Sequence, residues 1–126
     1  MNRSEIKVTN YRQLKVWQRS MGIAKIVFQL TARYPKNQTF GLAIQSQRAA
    51  ISIPSNIAEG QARDSTRKFL HHLSFSLGSL AKLETQLILA TELGYVEKQT
   101  ADTVLIQLDE LGKMLRGLQK SLKNKL

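Results

Sequence analysis

Apolar residues recur every three or four positions through most of the chain, which is the spacing that places side chains on one face of an α-helix. The first such segment predicts a helix over about residues 11–34. Asn10 and Gln13 have the spacing of a capping box at its start, and Pro35 ends it because the residue before a proline avoids the helical conformation. A second apolar row widens the apolar arc, which indicates contacts with two neighbouring helices. The main row consists of Leu14, Trp17, Met21, Ala24, Phe28 and Thr31.

Three further segments keep the helical period. Pro54 lies inside the first of them and lacks a backbone N–H, so we expect a kink there or a helix that begins again at Pro54. Gly60 and Gly94 are expected to end the second and third helices, and Ser65 or Asp64 to cap the start of the third. The predicted helices cover about residues 40–60, 65–93 and 97–124.

Four helices of similar length joined by short loops predict an all-α protein, a single antiparallel up-down-up-down four-helix bundle over residues 1–126. The chain has no cysteine, which excludes disulfides, a cysteine-ligated zinc site and a thiol nucleophile. No apolar run approaches the roughly 18 residues of a membrane-spanning helix, and the polar first five residues are unlike a signal peptide. We therefore expect a soluble cytoplasmic protein.

Positive charge is concentrated at two places in the sequence. Residues 1–58 contain nine basic side chains and one acid, residues 59–110 contain five and eight, and residues 111–126 contain five and none. The formal net charge is +10. Such a field favours a polyanionic partner, with nucleic acid first and an anionic membrane surface second. The first and last helices of an up-down bundle can be neighbours, so the two excesses are expected to merge into one positive face.

Basic residues at helical spacing are the candidate contacts to nucleic-acid phosphates. Cations three and four residues apart repel each other until an anion covers them, whereas the alternative is an ordinary solvated face. One stripe lies on the first helix, one on the last, and a third group lies around the start of the third helix. The eleven candidates are Arg12, Lys15, Arg19, Arg48, Arg63, Arg67, Lys68, Lys113, Arg116, Lys120 and Lys123.

Residue patterns typical of catalysis or metal binding are missing from the sequence. His71 and His72 are adjacent, so on a helix they diverge and cannot hold one metal ion. Glu84 lies in the apolar row of the third helix, where an ion pair with Arg48 or another cation is more plausible than a general base. We expect no enzyme activity, no cofactor and no metal.

Three segments carry a resemblance to a known family. Residues 11–17 (YRQLKVW) resemble its opening motif, and residues 48–60 (RAAISIPSNIAEG) resemble its most distinctive stretch. Residues 69–87, with GSL and ETQL, resemble its third helix. On these motifs the chain is identified as a member of the four helix bundle proteins, also called the 23S rRNA intervening-sequence or S23 proteins. The family includes the accessory variability determinants of diversity-generating retroelements.

The resemblance implies a four-helix protomer that assembles as a homopentamer and has no enzymatic activity of its own. It also implies, for the retroelement members, partnership with a reverse transcriptase and its RNA. Tyr11 stands where phenylalanine is common, and Gln13 and Lys82 stand where acids are common. The last two differences add positive charge, and the retroelement members tend to be basic.

Three hypotheses follow. The first is a basic accessory protein that binds RNA or an RNA–DNA hybrid through phosphates and works with a reverse transcriptase. The second is a protein encoded in a 23S rRNA intervening sequence, with an unknown role. The third is an oligomeric scaffold whose basic faces contact acidic proteins.

Overall fold

The computed structural model describes residues 10–126, and they form four α-helices. The helices are α1 (Lys15–Thr31), α2 (Ile44–Ala62), α3 (Thr66–Glu92) and α4 (Lys98–Lys123). This part of the chain contains no strand, which confirms the all-α, four-helix fold. No described helix is long and apolar enough to cross a membrane. The polar first five residues, which argued against a signal peptide, lie outside the described range.

Each helix packs against the next, and α4 returns to contact α1. Hydrogen bonds show that neighbours are antiparallel: on α3, His72 pairs with Asn56 of α2, and the later Ser76 pairs with the earlier Ile53. Two ends of the bundle result. At one of them α1 and α3 begin while α2 and α4 end, and this end is called the basic end below.

The predicted apolar rows form the core. α3 and α4 contribute a nearly continuous column of leucines, while α2 contributes small and β-branched side chains that let its neighbours approach. The fully buried large residues are Val27, Ile53, Ile57, Leu73, Leu83, Leu87, Val104, Leu108, Leu111 and Leu115.

α1 is shorter than the sequence predicts. Residues Tyr11–Gln13 form a separate 3-10 turn, and the Asn10 side chain accepts a hydrogen bond from the Arg12 amide within that turn. The predicted capping box of α1 is therefore wrong, because Asn10 satisfies the turn and the helix begins only at Lys15. At the other end α1 stops at Thr31, and Tyr34 is buried in a small second cluster with Ala43 and Ala90.

α2 is continuous through Pro54, and the non-helical backbone lies earlier, at Gly41 (φ −114°, ψ −115°). The helix also continues past Gly60 to Ala62, so the prediction that Gly60 ends it is wrong. Gly60 is buried against α3 instead, where its missing side chain lets the two helices approach. Predictions for α3 are confirmed: the Ser65 hydroxyl accepts from the Lys68 amide at 3.3 Å, and Gly94 follows the helix with φ +80°.

Candidate nucleic-acid interface

The topology gathers the predicted contact residues at the basic end. All eleven are exposed, and ten of them lie in the half of their helix, or in the adjoining turn, that belongs to this end. Arg48 is the exception, because it lies in the first turns of α2, which start at the opposite end. The charge that the sequence spreads over three regions is thus brought to one end by the alternation of helix direction.

The basic stripe of α4 lies toward α3. Arg116 lies beside Gly112, whose missing Cβ would stand 3.1 Å from Arg116 Nη1 and 3.8 Å from Leu80 Cδ1 of α3. Lys113 pairs with Asp109 at 3.4 Å, one turn earlier on the same helix. The stripe comprises Lys113, Arg116, Lys120 and Lys123.

The α1 cations lie on a different side of the bundle. Lys15 and Arg19 line a groove of about 600 Å³ between α1 and α4, across from Gln107 and Glu110. α1 and α4 are neighbours, yet the expected merging of their charge into a single face is wrong. The rotation of α4 about its axis directs its cations toward α3, so the basic end presents two positive surfaces.

Arg12 is held by the 3-10 turn before α1. Its Nε donates to Asn10 Oδ1 at 3.1 Å, and its guanidinium carbon lies 5.5 Å from the centre of the Tyr11 ring. The turn therefore fixes this cation against the start of α1.

A third positive surface is concave and lies where α2 meets α3. Arg63, Arg67, Lys68, His71 and His72 line a cavity of about 360 Å³, called the corner pocket below. Neither histidine is among the eleven contact residues that the sequence predicts. Both were considered as metal ligands instead. The spacing of four residues from Lys68 to His72 was the signal available, because it places both on one face of α3.

Contacts between α2 and α3 fix His72. Its Nδ1 lies 3.0 Å from Asn56 Oδ1, and its Nε2 lies 3.9 Å from Glu59 Oε2. Glu59 in turn accepts from Arg63 Nη2 at 3.0 Å. His71, which also lines the corner pocket, packs edge-on against Phe75, with ring centres 4.6 Å apart. No group of three described His, Asp or Glu residues could hold a metal ion.

Glu84 lies on the side of α3 that contacts α4. Desolvation by burial raises the pKa of Glu84, the negative charge of Asp109 raises it further, and Arg116 lowers it. Of the two alternatives expected from the sequence, Arg48 or another cation, the second applies: Arg116 of α4 is the cation whose charge acts on Glu84, whereas Arg48 lies on α2.

An apolar groove of about 640 Å³ lies between α1 and α2, away from the α4 stripe. Met21, Phe28 and Ile51 line it together with Pro54, and the first three remain exposed. This groove accounts for the wide apolar arc of α1, because only part of that arc is buried within the four-helix bundle.

Together these features define a basic four-helix bundle protein with cations gathered at one end. Residues 12–117 match the family model of the 23S rRNA-intervening sequence protein. The chain belongs to this family, as the sequence motifs predicted.

The fold is similar to that of a solved structure. It is the crystal structure of a protein with unknown function from the S23 ribosomal protein family of Bacteroides thetaiotaomicron. The two are 24% identical with a TM-score of 0.77, over 83% of this chain and 98% of that chain. No curated protein sequence matches the chain.

Proposed function

We propose that this protein is a non-enzymatic nucleic-acid-binding protein that contacts RNA, or an RNA–DNA hybrid, through its phosphates at the basic end. The observation that supports this proposal is the gathering of ten exposed cations at one end of the bundle. Among the described residues, only Arg63 and Lys113 of this set form ion pairs with carboxylates. The remaining cations repel one another until an anion covers them.

A phosphate backbone suits such a surface. Each phosphate that a cation neutralises releases condensed counterions, which favours binding at low salt. From Lys113 to Lys123 the α4 stripe spans about 15 Å at 1.5 Å per residue, enough to reach several phosphates of one strand. Exposed lysines and arginines on a helix face position a backbone without reading its bases, so we expect little sequence preference.

The test compares two matched variants by fluorescence anisotropy with a labelled single-stranded RNA across a range of salt. Replacing Arg116, Lys120 and Lys123 by glutamine should weaken binding. It should also reduce the slope of log K against log salt by about 2, at about 0.7 for each phosphate that is no longer neutralised. The control replaces Arg33, Lys36 and Lys98, three exposed cations at the opposite end, and should change the slope much less.

Two results would contradict the proposal. Binding that hardly changes with salt would exclude a phosphate mechanism. An equal loss of affinity in both triple variants would show that net charge, and not the basic end, determines affinity.

The protein partner that we propose is a reverse transcriptase. The support is the resemblance to accessory variability determinants together with the basic charge, which the differences at Gln13 and Lys82 increase. A reverse transcriptase gene beside the gene for this chain, and co-purification of the two proteins, are the expected observations.

A second candidate function is that of a protein encoded within an rRNA intervening sequence, which the description of the matched family favours. A position of the gene inside a 23S rRNA gene would select it over the first.

We also propose that a second copy of the chain covers the α1–α2 groove, within the homopentamer that the resemblance implies. The support is the exposed apolar surface of Met21, Phe28 and Ile51, which a monomer leaves in water.

A further inference from the structure

The corner pocket differs from the other positive surfaces because its cations surround a concavity that also contains a largely buried imidazole. Only 13% of the His72 side chain is exposed. Arg63, Arg67 and Lys68 surround it, and Glu59 is the carboxylate that pairs with this cluster. With both imidazoles neutral these groups leave a surplus of two positive charges. A single phosphate diester has one negative charge, whereas a phosphomonoester has between one and two near neutral pH.

The hydrogen bonds of Asn56 determine which nitrogen of His72 bears the proton. Asn56 Nδ2 lies 2.9 Å from the Ser52 carbonyl oxygen, which can only accept. The amide oxygen of Asn56 therefore faces His72, and His72 Nδ1 must donate to it across 3.0 Å. In the neutral imidazole this leaves Nε2 as a hydrogen-bond acceptor. The separation of 3.9 Å between Nε2 and Glu59 Oε2, too long for a hydrogen bond, agrees with that assignment.

The pocket therefore combines several cations with one acceptor. The arginines and the lysine suit anionic oxygens, and His72 Nε2 suits an oxygen that bears a proton. A phosphomonoester monoanion has both kinds of oxygen, and its proton would lie between its own oxygen and Nε2. An internal phosphodiester has two esterified oxygens and its one remaining acid group is ionised, so it brings no proton to this nitrogen.

We propose that the corner pocket binds a phosphomonoester, and that in a nucleic-acid complex it holds the terminal 5′-phosphate of a strand. This inference rests on the proposed function for the identity of the strand. The other cations of the basic end contact internal phosphates, while the pocket selects the end of the chain.

Glu59 is the group that opposes the phosphate. Its pair with Arg63 is about half-exposed, and such pairs contribute little, so a phosphate can replace it at small cost. Asp64, the next nearest acid in sequence, lines the adjacent cavity with Gly60 and Ser65 instead. Removing the Glu59 charge should therefore strengthen phosphate binding without altering the pocket's donors.

The experiment measures the affinity of the full chain for two RNAs of identical sequence, one with a 5′-phosphate and one with a 5′-hydroxyl. The phosphorylated RNA should bind about tenfold more tightly. The Arg67→Gln and His72→Gln variants should lose most of that difference, and Glu59→Gln should enlarge it. Lys120→Gln is the matched comparison: it should weaken both RNAs alike and leave their ratio unchanged.

Competition with inorganic phosphate tests whether the tighter binding of the phosphorylated RNA comes from the corner pocket. If inorganic phosphate at millimolar concentration removes the advantage of the phosphorylated RNA and leaves the hydroxyl RNA unaffected, the pocket is the site of that advantage. Equal affinities for the two RNAs, or a ratio that survives both Arg67→Gln and His72→Gln, would overturn the inference.

Failure of the proposed function gives a different result. If the chain binds neither RNA, titration with a nucleoside 5′-monophosphate still tests whether the corner pocket binds a phosphomonoester. The imidazole NMR resonances of His72 report the binding. A saturable shift that Arg67→Gln abolishes supports the pocket, and the absence of any shift refutes it.

Discussion

The backbone of Gly60 lies so close to His72 that a Cβ added to the glycine would stand 2.6 Å from the His72 Cβ and 3.1 Å from Phe69 Cδ1. This contact between the last turns of α2 and the second turn of α3 is what allows Asn56 and Glu59 to reach the imidazole. The corner pocket therefore depends on a residue that contributes no side chain to it.

Replacing Gly60 by alanine should force the two helices apart. We expect the free energy of unfolding to fall by about 1–3 kcal/mol, because the added methyl group meets a Cβ atom and an aromatic ring that cannot move freely. Urea denaturation measures the change. Gly78→Ala is the control, since nothing lies within 4 Å of the position that its Cβ would take, and it should stabilise α3 by up to about 1 kcal/mol through helix propensity.

Ser76 links α3 to the backbone of α2. Its hydroxyl is fully buried and donates to the Ile53 carbonyl at 2.9 Å, immediately before Pro54. Ser76→Ala should lower the free energy of unfolding by about 1 kcal/mol through loss of this hydrogen bond. Ser121→Ala, at an exposed position of α4, should remain within about 0.5 kcal/mol of the wild type. Equal losses in both variants would mean that the bond to Ile53 contributes nothing of its own.

Glu84 should make stability depend on pH. Burial, followed by the charge of Asp109, raises the pKa of Glu84 above its ordinary value of 4.5 in the folded protein. The folded state thus holds the proton more tightly than the unfolded chain, so this contribution is present below pH 4.5 and is lost as pH rises through the folded pKa.

Glu84→Gln removes that loss, so the variant should gain stability relative to the wild type as pH rises from 4.5 toward 7. Thermal unfolding at several pH values measures the difference. In Arg116→Gln the pKa of Glu84 should rise further, because Arg116 is the charge that lowers it. A Glu84→Gln variant with the same pH dependence as the wild type would contradict the assignment.

Tyr34 buries its hydroxyl group without a hydrogen-bond partner among the described residues. Burial also raises the pKa of Tyr34 above 10.0, so its contribution to stability is lost as pH rises through the folded value. Tyr34→Phe should stabilise the protein by about 1 kcal/mol, since it removes an unsatisfied polar group. The variant should also lose the alkaline destabilisation that Tyr34 causes. Tyr95→Phe, at the neighbouring half-buried ring, is the comparison and should change stability less.

The α1–α2 groove predicts self-association. Phe28 is 41% exposed within it, so Phe28→Asp should abolish the proposed self-association while leaving the helical content unchanged. Light scattering coupled to size-exclusion chromatography measures the mass. Ile106→Asp, at a residue of α4 that is 62% exposed and outside the groove, should leave the mass of the assembly as it is. A wild-type chain that is already monomeric at high concentration would contradict the proposed covering of the groove.

The sequence alone determined the four helices, most of the core and the family. Each depends on local information: apolar residues at helical spacing, the cap at Ser65, the stop at Gly94 and contiguous motifs. Residues at helix ends were predicted less well. Asn10 and Gly60 fit more than one role, and only their surroundings select one.

The tertiary structure decided which side chains meet. The rotation of α4 directs Arg116 toward Glu84 and not toward α1, and the register of α2 against α3 places His72 beside Asn56 and Glu59. Spacing along one helix predicts which residues share a face, but it does not predict which neighbouring helix that face contacts. The positive charge was visible in the composition, but its division between an exposed stripe and the concave corner pocket arose from helix rotation and from close packing at a glycine.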